Sequence, residues 1–96
     1  MNYSVLTFIF NEYEIVREIQ HLDDNAEYIL VTDNPNLRSS TRTIVLDEKL
    51  FDLSTFDKCY YVRFHPFEYV HTDICLRIDG SILIKDRLTP IIERFN

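Results

Sequence analysis

Residues 3–10, "YSVLTFIF", are apolar at nearly every position and rich in β-branched and aromatic types. An unbroken run of that kind predicts a strand buried on both faces, as parallel sheets require. The next stretch changes period. After Asn11, which can cap a helix, "EYEIVREIQHL" places Tyr13, Ile15, Val16, Ile19 and Leu22 on one stripe and so predicts a helix over 12–22. Glu12 and Glu14 fall in its first turn, where the helix dipole favours acids. "DDNA" breaks the pattern, and "EYILVTD" (27–33) and "RTIVLD" (42–47) read as two more strands around the turn-rich "DNPNLRSST". A helix between the first two strands implies a parallel pair.

Ser54 opens a second helix over 55–65, with Asp57 in place for a capping box and Phe56, Cys59, Tyr60, Val62 and Phe64 giving a broad apolar surface. Pro66 ends or kinks it. "DICLRID" (73–79) alternates as a fourth strand, "SILI" (81–84) is a short fifth, and "DRLTPIIERF" (86–95) is a C-terminal helix disturbed by Pro90. The order β-α-β-β-α-β-β-α belongs to the α/β class, a small, mostly parallel sheet flanked by helices. With 96 residues, no repeat and no linker, residues 1–96 form a single domain.

Composition narrows the function. Sixteen acids against ten bases give a net charge of −6, and no cluster of Lys and Arg offers the basic face that nucleic acid requires. An acidic chain can still take a nucleotide through a divalent cation. No apolar run reaches the ~18 residues of a membrane span, and the N-terminus reads as a strand rather than a signal peptide. Cys59 and Cys75 are in no metal-ligand spacing and suit a reducing cytosol. His65 and His71 flank a proline without an evident carboxylate partner, and no Ser-His-Asp or Cys-His signature supports nucleophilic hydrolysis.

The only glycine, Gly80, sits in "IDGSI" between two apolar runs. Asp-Gly there is a strong hairpin signal in its own right. It also closes a strand of an open α/β pattern, where ligands bind beyond the carboxyl ends of the strands. Asp33 ends another strand, and the first ends at "NEYE", so three polar strand ends could meet at one crevice.

"NEYE", "YILVTDN" and the string Arg63, Pro66, Tyr69, Asp73, Ile78, Asp79, Gly80, Ser81, Ile82 resemble the N-terminal donor-binding half of a GT-A glycosyltransferase. The likeness is to the capsular-polysaccharide and plant-type domains that carry an "IDG(N/S)I" turn. That resemblance implies a Rossmann-like half-domain binding a nucleotide-diphosphate-sugar through Mg²⁺ or Mn²⁺, in the cytoplasm. A hard cation would offset the charge that builds on the departing diphosphate. By the resemblance Asp79 holds the metal with Ser81, which stands where a second acid is often found. Asp33 and Asn34 contact base or ribose, Asn11 and Tyr13 form the loop over the nucleotide, and Arg63 pairs with the diphosphate. Each also has a plain structural role: a turn at Asp33-Asn34-Pro35, the helix stripe for Tyr13, a solvated helix face for Arg63. The resembled domains are longer, with their acceptor pocket after the acidic turn, so no catalytic residue is assigned. The chain is then a piece of a longer protein, a short gene product, or a protein that completes itself by pairing. The alternative reading is a non-catalytic α/β interaction module, derived from such a domain, that forms a homodimer through a sheet edge or the C-terminal helix.

Overall fold

The computed structural model describes residues 3–10, 16–78 and 88–95. Among the described residues four strands form one sheet: β1 (Tyr3–Ile9), β2 (Ala26–Thr32), β3 (Thr43–Leu46) and β4 (Cys75–Arg77), in the order β3-β2-β1-β4. All three pairings are parallel, with Leu6 opposite Ile29, Val31 opposite Val45, and Leu6 opposite Arg77. The α/β class read from the sequence is therefore the fold. β1 and β2 lie inside the sheet and are buried on both faces, which is why their sequences run apolar without alternation.

Two clusters make the core. On one face Leu6, Phe10, Ile29 and Val31 pack against Leu50, Val62, Tyr69 and Val70. On the other, Tyr3, Val5 and Tyr28 pack against Ile19 and Ile92. Leu6, Leu30, Val5 and Val31 are at most 1% exposed, and burying each such side chain stabilises the fold by about 1.5–3 kcal/mol.

Helix α1 (Thr55–Phe64) covers the first face. Ser54 caps it as the sequence predicts, its Oγ accepting from the Asp57 amide at 3.1 Å. Pro66 opens a 3₁₀ turn (Pro66–Glu68) directly after it, and another 3₁₀ turn (Glu48–Leu50) follows β3. Helix α2 (Thr89–Phe95) contributes Ile92 to the second face. Pro90 does not disturb α2. It occupies the first turn, where its missing N–H is no loss.

The helix expected over 12–22 is not there for residues 16–22, which carry no regular structure; residues 12–15 lie outside the described residues. Ile19 is buried as the stripe predicts. Its amide, however, donates to Thr41 Oγ1 at 3.2 Å rather than to a helical carbonyl. The Glu18 carboxylate takes hydrogen bonds from Ser39 Oγ at 2.7 Å and from the Ser40 amide and hydroxyl. Tertiary bonds to the 39–41 loop thus win over a modest helical periodicity. The predicted fourth strand shortens to Cys75–Arg77, and the predicted fifth strand (81–84) lies outside the described residues.

The amino edge of the sheet is held by two further carboxylates. Asp23 Oδ2 accepts from Tyr3 Oη at 2.5 Å, Leu88 N at 2.9 Å, Thr89 N at 3.2 Å and Thr89 Oγ1 at 3.1 Å, tying the start of β1 to the start of α2. Burial, reinforced by that carboxylate, holds the Tyr3 phenol protonated far above its usual range. Glu27 accepts from Ser4 Oγ at 2.5 Å and from the His71 amide at 2.6 Å, joining β1, β2 and the approach to β4.

Candidate functional site: the carboxyl edge of the sheet

β1, β2 and β3 are laid down in one direction across the sheet, and β4 then returns to the far side of β1. The strand order reverses between β1 and β4. Crevices beyond the carboxyl ends of strands at such a reversal are where open α/β sheets take their ligands. Phe10 leaves β1 there, and Ile78 leaves β4 with its amide donating to Leu6 O at 3.0 Å. Asn11, Tyr13, Asp79 and Ser81, four of the seven residues singled out in the sequence, lie outside the described residues.

The other three are described. Asp33 follows β2 and continues the alternation of Ile29 and Val31 toward the face under α1. Its Oδ2 lies 2.6 Å from Lys58 Nζ, in a pair whose side chains are only 13% and 10% exposed. A charge-assisted bond so far from bulk water is among the stronger polar contacts a protein makes. Asn34 completes the turn: its Oδ1 accepts from the Asn36 amide at 2.9 Å and its carbonyl from the Leu37 amide at 3.2 Å. The Asn34 amide donates in turn to Thr32 Oγ1 at 3.1 Å. Arg63 is exposed. It comes five residues after Lys58, about 140° around the helix, so α1 turns Lys58 toward Asp33 and Arg63 to solvent.

A second carboxylate, Asp47, ends β3 in the same manner and escaped the sequence reading. Its Oδ2 accepts from Tyr69 Oη at 2.7 Å and lies 3.0 Å from Lys49 Nζ, while its Oδ1 caps the following 3₁₀ turn through the Lys49 amide at 3.2 Å. Lys49 also reaches Glu68 at 3.6 Å and stands 4.9 Å above the Tyr61 ring. Partial burial would raise the Asp47 carboxyl, but the Tyr69 and Lys49 bonds outweigh it and hold the group below its usual range. Asp47 closes "RTIVLD" just as Asp33 closes "EYILVTD", so the rule that drew attention to Asp33 reaches it too. Lys58 had a signal as well: it stands four residues before Val62, on the inward side of α1.

These pairs define the local chemistry. Asp33 and Asp47 are matched by lysines, and no group of three or more His, Cys, Asp or Glu capable of holding a metal occurs among the described residues.

His65 borders the Asp47–Lys49 cluster through Tyr61, whereas His71 lies at the other edge. His71 Nδ1 is 3.0 Å from Glu27 Oε2, at the amino edge. That supplies the carboxylate missing from the sequence reading. Glu27 stands between Ser4 and His71, however, whereas a nucleophilic triad needs the imidazole in the middle, and Ser4 is fully buried. His65 Nδ1 lies 2.9 Å from Tyr61 O, with its ring stacked on Tyr61 at 4.2 Å. Burial pushes the Cys75 thiol up. No helix among the described residues is long and apolar enough to cross a membrane.

No protein-family model matches the chain, and neither a curated protein nor a solved structure does.

Proposed function

We propose that this domain binds a nucleotide-diphosphate-sugar at the carboxyl edge of its sheet, as the donor-binding half of a glycosyltransferase working in the cytosol. One observation carries the reading: the reversal of strand order between β1 and β4, with the acidic end of β2 alongside. Asp33 comes 22 positions after Asn11, close to the ~20-residue spacing at which acidic residues in nucleotide-binding folds of this class reach a ribose. Asp79 and Ser81 would hold Mg²⁺ or Mn²⁺, and that cation would supply charge stabilisation to the diphosphate. Asn11, Tyr13 and Asn34 would line the nucleotide, and Arg63 would reach the diphosphate from solvent.

Isothermal titration with UDP, GDP and CMP, each with and without Mn²⁺, tests the reading. Binding of at least one nucleotide is expected, with a metal-dependent part that Asp79→Asn abolishes. No heat with any of the three, in either condition, overturns it.

A second reading, a non-catalytic interaction module, is favoured by a separate observation. The outer side of α1 leaves Phe56, Tyr60 and Phe64 more than half exposed, an arrangement that nucleotide binding does not need.

A further inference from the structure

Helix α1 uses one side for the core, through Val62 and Cys59, and turns an aromatic row outward. Phe56, Tyr60 and Phe64 are 74%, 53% and 60% exposed, and Phe67, just beyond the helix, is 59% exposed. The three helical rings touch one another: Phe56 and Tyr60 lie 6.1 Å apart between centroids, Tyr60 and Phe64 4.5 Å apart. They form one continuous ridge along two turns of helix. At ~200 Å² per aromatic side chain, the three rings of the row leave about 370 Å² in water. That is a contiguous patch of the ~300–600 Å² size that is often functional. It is also nearly half of the ~800 Å² that each partner contributes to a standard stable interface.

The row has a symmetry of its own. Phe-x-x-x-Tyr-x-x-x-Phe reads the same in both directions, with Tyr60 at its centre. A surface that is to meet its own copy across a two-fold axis must be self-complementary, residue i on j and j on i. An axis through Tyr60 runs two α1 helices antiparallel and brings Phe56 of one chain level with Phe64 of the other. No charged residue interrupts the row. Asp57 and Arg63 stand to either side of it and Glu68 beyond, as an apolar interface centre with a polar rim requires. A membrane surface fits poorly. Lipid-binding helices carry Lys and Arg along their polar face, whereas α1 offers Arg63 against Asp57 in a chain of net charge −6.

We infer that α1 is the interface of a two-fold homodimer, with a second copy of this chain seated antiparallel on the Phe56-Tyr60-Phe64 row. This rests on the interaction-module reading and is independent of nucleotide binding. Sedimentation velocity without nucleotide, at protein concentrations to about 100 µM, tests it. The wild type is expected to sediment as a dimer. Tyr60→Glu, at an exposed position, is expected to keep the far-UV circular dichroism of the wild type and to weaken the dimer more than about 100-fold, because the axis repeats the change on both chains. Phe56→Lys and Phe64→Glu are each expected to be monomeric alone and to form a heterodimer when mixed, since position 56 faces position 64. A folded Tyr60→Glu that still dimerises overturns this interface and leaves the interaction-module reading with another face. A wild type that stays monomeric throughout overturns the homodimer itself. Dimerisation without rescue by mixing overturns the antiparallel axis.

Discussion

The two edges of this sheet treat their carboxylates differently. At the amino edge, Asp23 and Glu27 are met chiefly by hydroxyls and backbone amides, from Tyr3, Ser4, Leu88, Thr89 and His71. Glu18, gripping the loop before β3, takes the same kind of bonds from Ser39 and Ser40, with the Arg42 guanidinium also 3.9 Å away. At the carboxyl edge, Asp33 and Asp47 are met by the ammonium groups of Lys58 and Lys49. Neutral donors fix geometry while leaving the negative charge in place, whereas lysines cancel charge and bring further N–H donors with them. The amino edge is an anchorage. The carboxyl edge gathers cations at the end of the sheet where α/β folds receive ligands.

The sharpest way to break this contrast is at Asp23. Asp23→Ala strips a buried acceptor from the Tyr3 hydroxyl, the Leu88 amide and the Thr89 amide and hydroxyl together. We expect a loss of about 3 kcal/mol or more in urea unfolding, from several buried donors left unsatisfied at once.

Asp33 should respond more gently, and differently. Asp33→Ala leaves the Lys58 ammonium partnerless in a nearly closed site, at an expected cost of about 2 kcal/mol. Removing both charges with Asp33→Leu and Lys58→Met should recover most of that loss, because an apolar pair needs no desolvation of charge. A double-mutant cycle measures the coupling. Additive losses would show that Lys58 is held by something other than Asp33.

The smallest effect is expected at Glu18. Burial alone would raise its carboxyl, but the Ser40 and Ser39 bonds overcome this and bring it from 4.5 down to about 2. A folded value below the unfolded one means that the stabilisation is complete above about pH 4.5 and is lost as the pH falls toward 2. Glu27 and Asp47 move in the same direction. Glu18→Gln should therefore flatten the acid limb of a plot of urea midpoint against pH, costing only about 1 kcal/mol at pH 7 because the side chain is partly solvated.

The strands were legible because burial on both faces leaves a long apolar run, a signal that needs no knowledge of partners. β1 and β2 fall within one residue of their expected limits. The Ser54 cap and the turn at Asp33-Asn34-Pro35 were legible for a similar reason: each is satisfied by hydrogen bonds between near neighbours in sequence. What was not legible depends on distant partners. Nothing local in "EIVREIQHL" indicates that the Ser39–Thr41 loop will grip Glu18 and draw residues 16–22 out of a helix. The apolar surface of α1 was visible, but which part faces the sheet depends on distant partners: Val62 and Cys59 pack on the core and Lys58 reaches Asp33, 25 positions away. Of the site, Asp33 and Asn34 stand at the end of β2 as read, and Asp47 and Lys58 carried local signals too, whereas the pairing of each carboxylate with its lysine becomes apparent only when helix, turn and strand are assembled.

The Asp23 hub has a consequence for how the chain is made. One carboxylate binds Tyr3, in the first strand, and Leu88 and Thr89, at the start of the last helix. On the ribosome, residues 88–89 must emerge before the Tyr3 phenol shares that acceptor with α2. Nascent chains stalled before α2 should therefore leave the segment around Tyr3 more accessible to protease than chains that include it.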